Sequence, residues 1–284
     1  MTKIEKLSIT DLPATTIDLA CDKIASYTVA MNRMISRSGI PESQLVGTGT
    51  LVKVEGLDCI LTADHVLEEF REPDKMGLMS SFTGRPSGHE FPLSDLGLHR
   101  IARGDTDETG PDIALVVLPQ QSIAALRSEK VFYNINKHAK CFDNSYLPLD
   151  YGFWLNCGIV GETERELPPD RNIVSLKGYE GLCGASANPK ESFDGVFDYL
   201  EVRIDLEGRA DLPSTFGGMS GGGLWQVLMR KTSEGKIEPE DWILSGVTFY
   251  ESEVERDKRH LRCHGRKSIY ERVPEYVRVN IKCA

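Results

Sequence analysis

The sequence contains no apolar run that approaches the length of a bilayer span, which excludes a helical membrane bundle. Its first residues, Met1-Thr2-Lys3-Ile4-Glu5-Lys6-Leu7-Ser8-Ile9, lack the unbroken apolar core of a secretory leader, so either the protein stays in the cytoplasm or a leader has been removed. Paired cysteines are lacking too. Seven are scattered at positions 21, 59, 141, 157, 183, 263 and 283, an odd number without a repeated spacing. That argues against a disulfide framework and for a reducing compartment, hence a cytoplasmic location. Positive charge is in deficit, with 33 Lys and Arg against 43 Asp and Glu for a net charge of -10, so nucleic acid is an unfavourable partner unless the basic residues cluster. They cluster once, over residues 255 to 267, which reads as a solvated loop. His260, Cys263 and His264 lie in it, but no second ligand pair is near, and neither a metal nor a cofactor is expected.

What is present is enough for a globular core. The chain has 284 residues, 40% hydrophobic and 27% charged, the length of one large domain or two small ones. Apolar residues Ile17, Cys21, Ile24, Met31 and Ile35, with Thr28, fall at spacings of four and three and predict an amphipathic helix from Thr15 to Arg37, started at Pro13 and stopped by Gly39 and Pro41. Residues 47 to 62 read as a hairpin turning at Glu55-Gly56. Residues 71 to 109 read as loops with short strands, residues 151 to 161 and 200 to 206 as strands, and Ser268 to Lys282 as a helix with Pro274 near its start.

Three segments carry chemistry. Residues 215 to 224 read T-F-G-G-M-S-G-G-G-L, a glycine-rich bend that can turn sharply around Ser220 and aim successive N–H groups at one point. A serine hydroxyl is a weak nucleophile at neutral pH and needs a base and an orienting carboxylate. The base candidate is His65, at the end of an apolar strand that closes in T-A-D-H. The acid candidate is Asp112, at the mouth of the buried run D-I-A-L-V-V-L, with Asp105 and Asp107 as alternatives.

In these three places, and in the chain order His65, Asp112, Ser220, the sequence resembles the trypsin-like (chymotrypsin-fold) serine peptidases, specifically a bacterial-type intracellular member. The likeness spans about residues 45 to 255. It implies an all-β fold of two six-stranded antiparallel β-barrels, about 45 to 125 and 140 to 255, with an added N-terminal helical extension over 1 to 44 and a basic loop and C-terminal helix over 256 to 284. By that resemblance the activity is hydrolysis of protein substrates through an acyl-enzyme, without cofactor, with the Gly218 and Ser220 amides as the oxyanion hole. Ser214 would sit at the base of the primary specificity pocket, Thr215 beside it would also bind substrate, and Thr248, Phe249 and Tyr250 would line the strand that pairs with substrate. Uncharged Ser214 does not favour Arg or Lys before the cleaved bond, and the ring of Tyr250 would narrow the pocket toward small uncharged residues. Two departures bear on regulation. Val66 follows His65 where secreted relatives often have a disulfide cysteine, and Met219 stands where zymogen-derived trypsins carry the aspartate that pairs with a freed N-terminus. The hole must then be preformed or set by another change, so an activating protein partner, docked through the N-terminal helix, is one expectation. A catalytically silent peptide-binding module on the same fold is the alternative.

Overall fold

The computed structural model describes residues 2–3, 12–37, 40–71, 75–80, 87–106, 108–120, 123–140, 147–167, 176–179, 181–209 and 212–282. The chain opens with β1 (Thr2–Lys3) and helix α1 (Ala14–Ala25), then β2 (Thr28–Arg37), β3 (Ile40–Val54) and β4 (Leu57–Thr62). A one-turn helix α2 (Asp64–Glu68) leads to β5 (Lys75–Ser80), β6 (Ser87–Pro92), β7 (Gly97–Arg103) and β8 (Asp112–Val117). The crossing segment holds α3 (Ile123–Glu129), β9 (Tyr133–Asn134) and α4 (Ile135–Ala139). The second half consists of β10 (Phe153–Ile159), β11 (Arg165–Leu167), β12 (Leu176–Gly178), β13 (Gly181–Ser186), β14 (Lys190–Asp194), β15 (Phe197–Asp205), β16 (Gly223–Lys231), β17 (Ile237–Glu251) and β18 (Lys258–His264). It ends in a π-helical turn over Ser268–Arg272 and α5 (Val273–Asn280), with Pro274 in the first turn, where its missing N–H costs nothing.

Two large, mainly antiparallel sheets organise these elements. The first runs β6-β5-β2-β3-β4-β8-β7 with β9 beside β3, and the second β13-β10-β16-β17-β18-β15-β14 with β1 beside β16. Each has eight strands rather than six, and among the described residues the two ends of each path share no ladder. The all-β expectation thus stands as two sheets with helices at both ends.

The helix expected over Thr15 to Arg37 breaks after Ala25, because Thr28, Val29, Ala30 and Met31 are buried on both faces by pairing with β3 and β5. The alternating pattern there suits a strand as well as a helix, and tertiary pairing decides between them. The expected boundary at residue 44 therefore falls inside β3. The basic cluster is not a solvated loop either: β18 pairs with both β15 and β17, with Arg259, Leu261 and Cys263 buried on its inner face and Lys258, His260 and Arg262 on the outer one.

The seam between the sheets is apolar. Ile24, Tyr27, Val52, Leu61, Ile113, Leu155, Trp225, Leu244 and Val273 form one cluster drawn from α1, both sheets and the C-terminal helix. Tyr27 stacks on Trp225 with ring centroids 5.2 Å apart, and Tyr133 meets Trp225 edge-on. The Tyr270 hydroxyl donates to the Leu244 carbonyl at 2.9 Å and pairs with the Tyr133 hydroxyl at 2.8 Å. Helix α1 belongs to this seam. Replacing Ile24, which has 0% exposure, by Ala should cost about 2–5 kcal/mol, read as a fall in the urea midpoint with unchanged slope.

Candidate functional site

The hairpin β3–β4 delivers His65 to the seam. Helix α2 starts directly after β4, and its N-cap residue Ala63 has no side chain to satisfy the first amides. Asp112 does so from the neighbouring strand: its Oδ1 accepts from Asp64 N at 2.5 Å and from His65 N at 3.1 Å. Its Oδ2 accepts from His65 Nδ1 at 2.6 Å and from Arg103 Nη1 at 2.5 Å. One carboxylate thus caps the helix, fixes the imidazole and pairs with a guanidinium. Asp112 has no exposure, while the His65 side chain is 31% exposed, so the ring is held from behind and open in front.

Burial pushes the Asp112 carboxyl up, but the hydrogen bonds and charge of His65, with the charge of Arg103, outweigh it and leave the group below its ordinary value. Beneath it, the Asp112 N–H donates to His264 Nε2 at 2.9 Å. His264 is fully buried against Phe197, Tyr199 and Phe249, and burial pushes its pKa down to about 3. It is a neutral acceptor in the floor of the site, not the surface histidine its polar sequence context implies. Asp105 is exposed, and Asp107 lies outside the described residues.

The glycine-rich bend docks onto the first sheet through threonines. Thr48 N donates to Ser220 O at 2.8 Å, and Thr48 Oγ1 donates to Gly218 O at 2.7 Å while accepting from Ile159 N at 2.8 Å. Thr50 Oγ1 donates to Gly221 O at 3.0 Å, and Thr62 Oγ1 to Thr48 O at 2.9 Å. Gly221, at φ 91°, has the Thr48 carbonyl 1.9 Å from where a Cβ would stand, so both its conformation and its neighbour demand glycine.

The peptide planes of the bend are fixed as well. Gly217 O accepts from Gly161 N and Met219 O from Gly222 N, both at 2.8 Å. In a trans peptide the next N–H points the opposite way, so the amides of Gly218 and Ser220 face away from these contacts. Among the described residues neither of the two donates a hydrogen bond. Met219 anchors the bend from below: its side chain, 1% exposed, packs with Val160, Phe216 and Leu261. This anchoring of the bend is apolar rather than ionic. Among the described residues Ser220 Oγ and His65 Nε2 make no hydrogen bond to each other.

The expected substrate-facing residues divide. Ser214 is exposed and does not form a buried floor; its N–H and hydroxyl donate to Glu162 at 2.8 and 3.0 Å, and Thr215 N donates to the same oxygen. Thr248 is not free to pair with a peptide, because its N–H donates to Gly222 O at 2.8 Å and its carbonyl accepts from Gly221 N at 2.7 Å. Phe249 is buried against Tyr199 and His264. Tyr250 packs against the first sheet's core, and the residue that reaches across to the bend is Glu251: it accepts from Phe216 N at 2.9 Å and Thr215 Oγ1 at 3.3 Å and pairs with the largely buried Arg259. Arg103, His264, Thr48, Glu251 and Arg259 escaped sequence reasoning. His264 stood out in the sequence only with His260 and Cys263 as a conceivable metal set, which pointed elsewhere. Among the described residues no group of three His, Cys, Asp or Glu side chains is placed to hold a metal ion, and no helix is long and apolar enough to cross a membrane.

No family model matches the chain, and no curated protein does. Among solved structures it is similar to a chain from work on how aromatic interactions drive the coupled folding and binding of the intrinsically disordered Sesbania mosaic virus VPg protein. That likeness has 15% identity and a TM-score of 0.42 over 95% of this chain and 93% of that one. It is too loose to carry an argument.

The buried His264 has a consequence for stability. Its folded pKa lies below the unfolded value near 6.5, so its contribution is whole above that pH and is lost as pH falls toward about 3. Stability should drop by up to about 1.4 kcal/mol per pH unit below pH ~6 from this group. His264→Gln, which can still accept from Asp112 N–H, should flatten the wild-type slope between pH 7 and 5 in urea unfolding; parallel slopes would show that His264 is not the group responsible.

Proposed function

We propose that this protein is a serine endopeptidase of the trypsin-like kind, its two sheets corresponding to the two barrels of that fold. The observation that carries the reading is the coincidence, at one seam, of the His65 Nδ1–Asp112 Oδ2 hydrogen bond at 2.6 Å with a serine bend whose Gly218 and Ser220 amides are unengaged. In this mechanism Ser220 Oγ attacks the peptide carbonyl and His65 Nε2 takes its proton. Asp112 holds the imidazole in the tautomer with hydrogen on Nδ1 and stabilises the imidazolium that forms. The carbonyl oxygen gains negative charge and is met by the Gly218 and Ser220 amides, which need no reorganisation because Thr48 and Met219 already set the bend. His65 then gives its proton to the leaving amine, and water repeats the sequence on the acyl-enzyme.

Neither a metal nor a cofactor enters these steps. Glu251, at the end of β17, is already engaged by Phe216 N, Thr215 Oγ1 and Arg259, so its carboxylate is not free to select Arg or Lys, which supports an uncharged residue before the cleaved bond. The acidic, thiol-bearing sequence supports a cytoplasmic protein acting on protein substrates.

A second reading has one observation in its favour. Ser220 Oγ and His65 Nε2 are not hydrogen-bonded in the free protein, as in a silent module that only holds a peptide. Catalytic hydrogen bonds often form only in the substrate complex, so the enzymatic reading retains precedence.

Labelling with a fluorophosphonate separates the two, since that probe reacts with an activated, accessible serine. Wild type should label, Ser220→Ala should not label at all, and Asp112→Asn should label slower by a factor on the order of 10⁴, the scale for losing a triad acid. Folded wild type that stays unlabelled would favour the binding module.

A further inference from the structure

Cysteines that are scattered in sequence meet in the fold. Cys157 on β10 and Cys183 on β13 stand directly opposite each other across the antiparallel pair. Cys21 on α1 covers the same spot: its thiol donates to the Cys183 carbonyl at 3.6 Å, and Cys21 and Cys183 pack against the same apolar cluster that contains Cys157. All three are free.

Their surroundings differ in a way that assigns roles. Cys157 is fully buried, its sulfur accepting from Thr28 Oγ1 at 3.6 Å, whereas Cys21 and Cys183 are partly exposed. The hydrogen bond from Cys183 holds the Cys21 thiol below the ordinary thiol range, against burial and the charges of Asp18 and Asp22. Hydrogen bonds with Cys157 and Cys21, then burial, keep Cys183 protonated well above it. Cys59 and Cys263 are pushed up to about 12 by burial, which leaves them inert.

We propose that Cys21 and Cys183 form an oxidative modification site, a thiol pair that reacts with a hydroperoxide and closes to a disulfide stapling α1 to β13. The Cys21 thiolate attacks the outer peroxide oxygen; the O–O bond breaks, the other oxygen leaves as an alcohol or water after taking a proton, and Cys21 becomes a sulfenic acid, oxidised by two electrons. The Cys183 sulfur then attacks the Cys21 sulfur. The S–O bond breaks, the hydroxyl departs with the Cys183 proton as water, and the S–S bond forms. Two thiols and one hydroperoxide thus give one disulfide, one alcohol or water from the peroxide, and one further water. Because α1 packs on β10, β13 and β17 of the second sheet and on β2 of the first, the staple would fix the helix across the seam. The site is independent of the proposed peptidase chemistry.

The test is titration of the full chain with hydrogen peroxide, followed by alkylation and peptide mapping. Near one equivalent, the protein should lose about 2 Da, and a single cross-linked peptide pair should contain Cys21 and Cys183. The thermal midpoint should rise on oxidation and return with dithiothreitol. Cys183→Ser should leave Cys21 as a sulfenic acid that dimedone traps, and Cys21→Ser should abolish the cross-link. A disulfide joining any other pair, over-oxidation of Cys21 without a cross-link in wild type, or unreactive thiols would overturn the proposal.

Discussion

The rest of the site depends on one buried carboxylate. Asp112 is wholly out of water, and an ionised carboxyl placed there without partners would cost several kcal/mol. It is offset by four donors: two backbone amides that begin α2, the His65 ring and the Arg103 guanidinium. This requirement positions everything nearby. The helix start must come to the carboxylate, so β4 must end at Ala63. The imidazole must present Nδ1 to Oδ2, which leaves its other nitrogen clear of that carboxylate. Arg103 sits opposite Asp112 on the adjacent strand, close enough to share the same oxygen. His264 completes the floor from the other sheet, accepting from the Asp112 amide while remaining uncharged.

A second constraint joins the sheets. Thr48 uses its amide, carbonyl and hydroxyl on groups of the second half or on Thr62, and the bend around Ser220 is thereby tied to the strand that leads, through β4, to His65. Ser220 and His65 are consequently placed by a common hairpin rather than by two independent halves. Met219 contributes from the opposite side, where its burial stabilises the bend without any charge. The bend draws on no aspartate at position 219, since Met219 stands there. Instead it is coupled to the apolar cluster of Val160, Phe216 and Leu261.

The sequence made the local chemistry legible and left the reach between strands obscure. His65, Asp112 and the bend at Ser220 are each marked by their own neighbours: an apolar strand ending in a histidine, an acid opening a buried run, glycines around a serine. Arg103, Thr48 and Glu251 carry no such mark, because what they do depends on a partner far away in the chain. Thr248 illustrates the limit: its place in the strand was readable, but its backbone is spent on Gly221 and Gly222, so the open edge begins later. The segment from Thr28 to Arg37 misled because its apolar spacing suits two periodicities, and pairing with β3 and β5 makes it a strand. Over residues 258 to 264 Lys258, His260 and Arg262 lie on the outer face of a strand whose inner face is Arg259, Leu261 and Cys263, so the run of basic residues alone suggested a loop.

The central claim is that the Gly218 and Ser220 amides form a preset site for negative charge beside a serine served by His65 and Asp112. A short peptide boronic acid ending in a small uncharged residue tests it directly, by boron NMR and by a structure of the complex. The account predicts a tetrahedral boronate bonded to Ser220 Oγ, with one oxygen within hydrogen-bonding distance of both amides. Boron that stays trigonal, or a tetrahedral adduct whose oxygens avoid those amides, would contradict it.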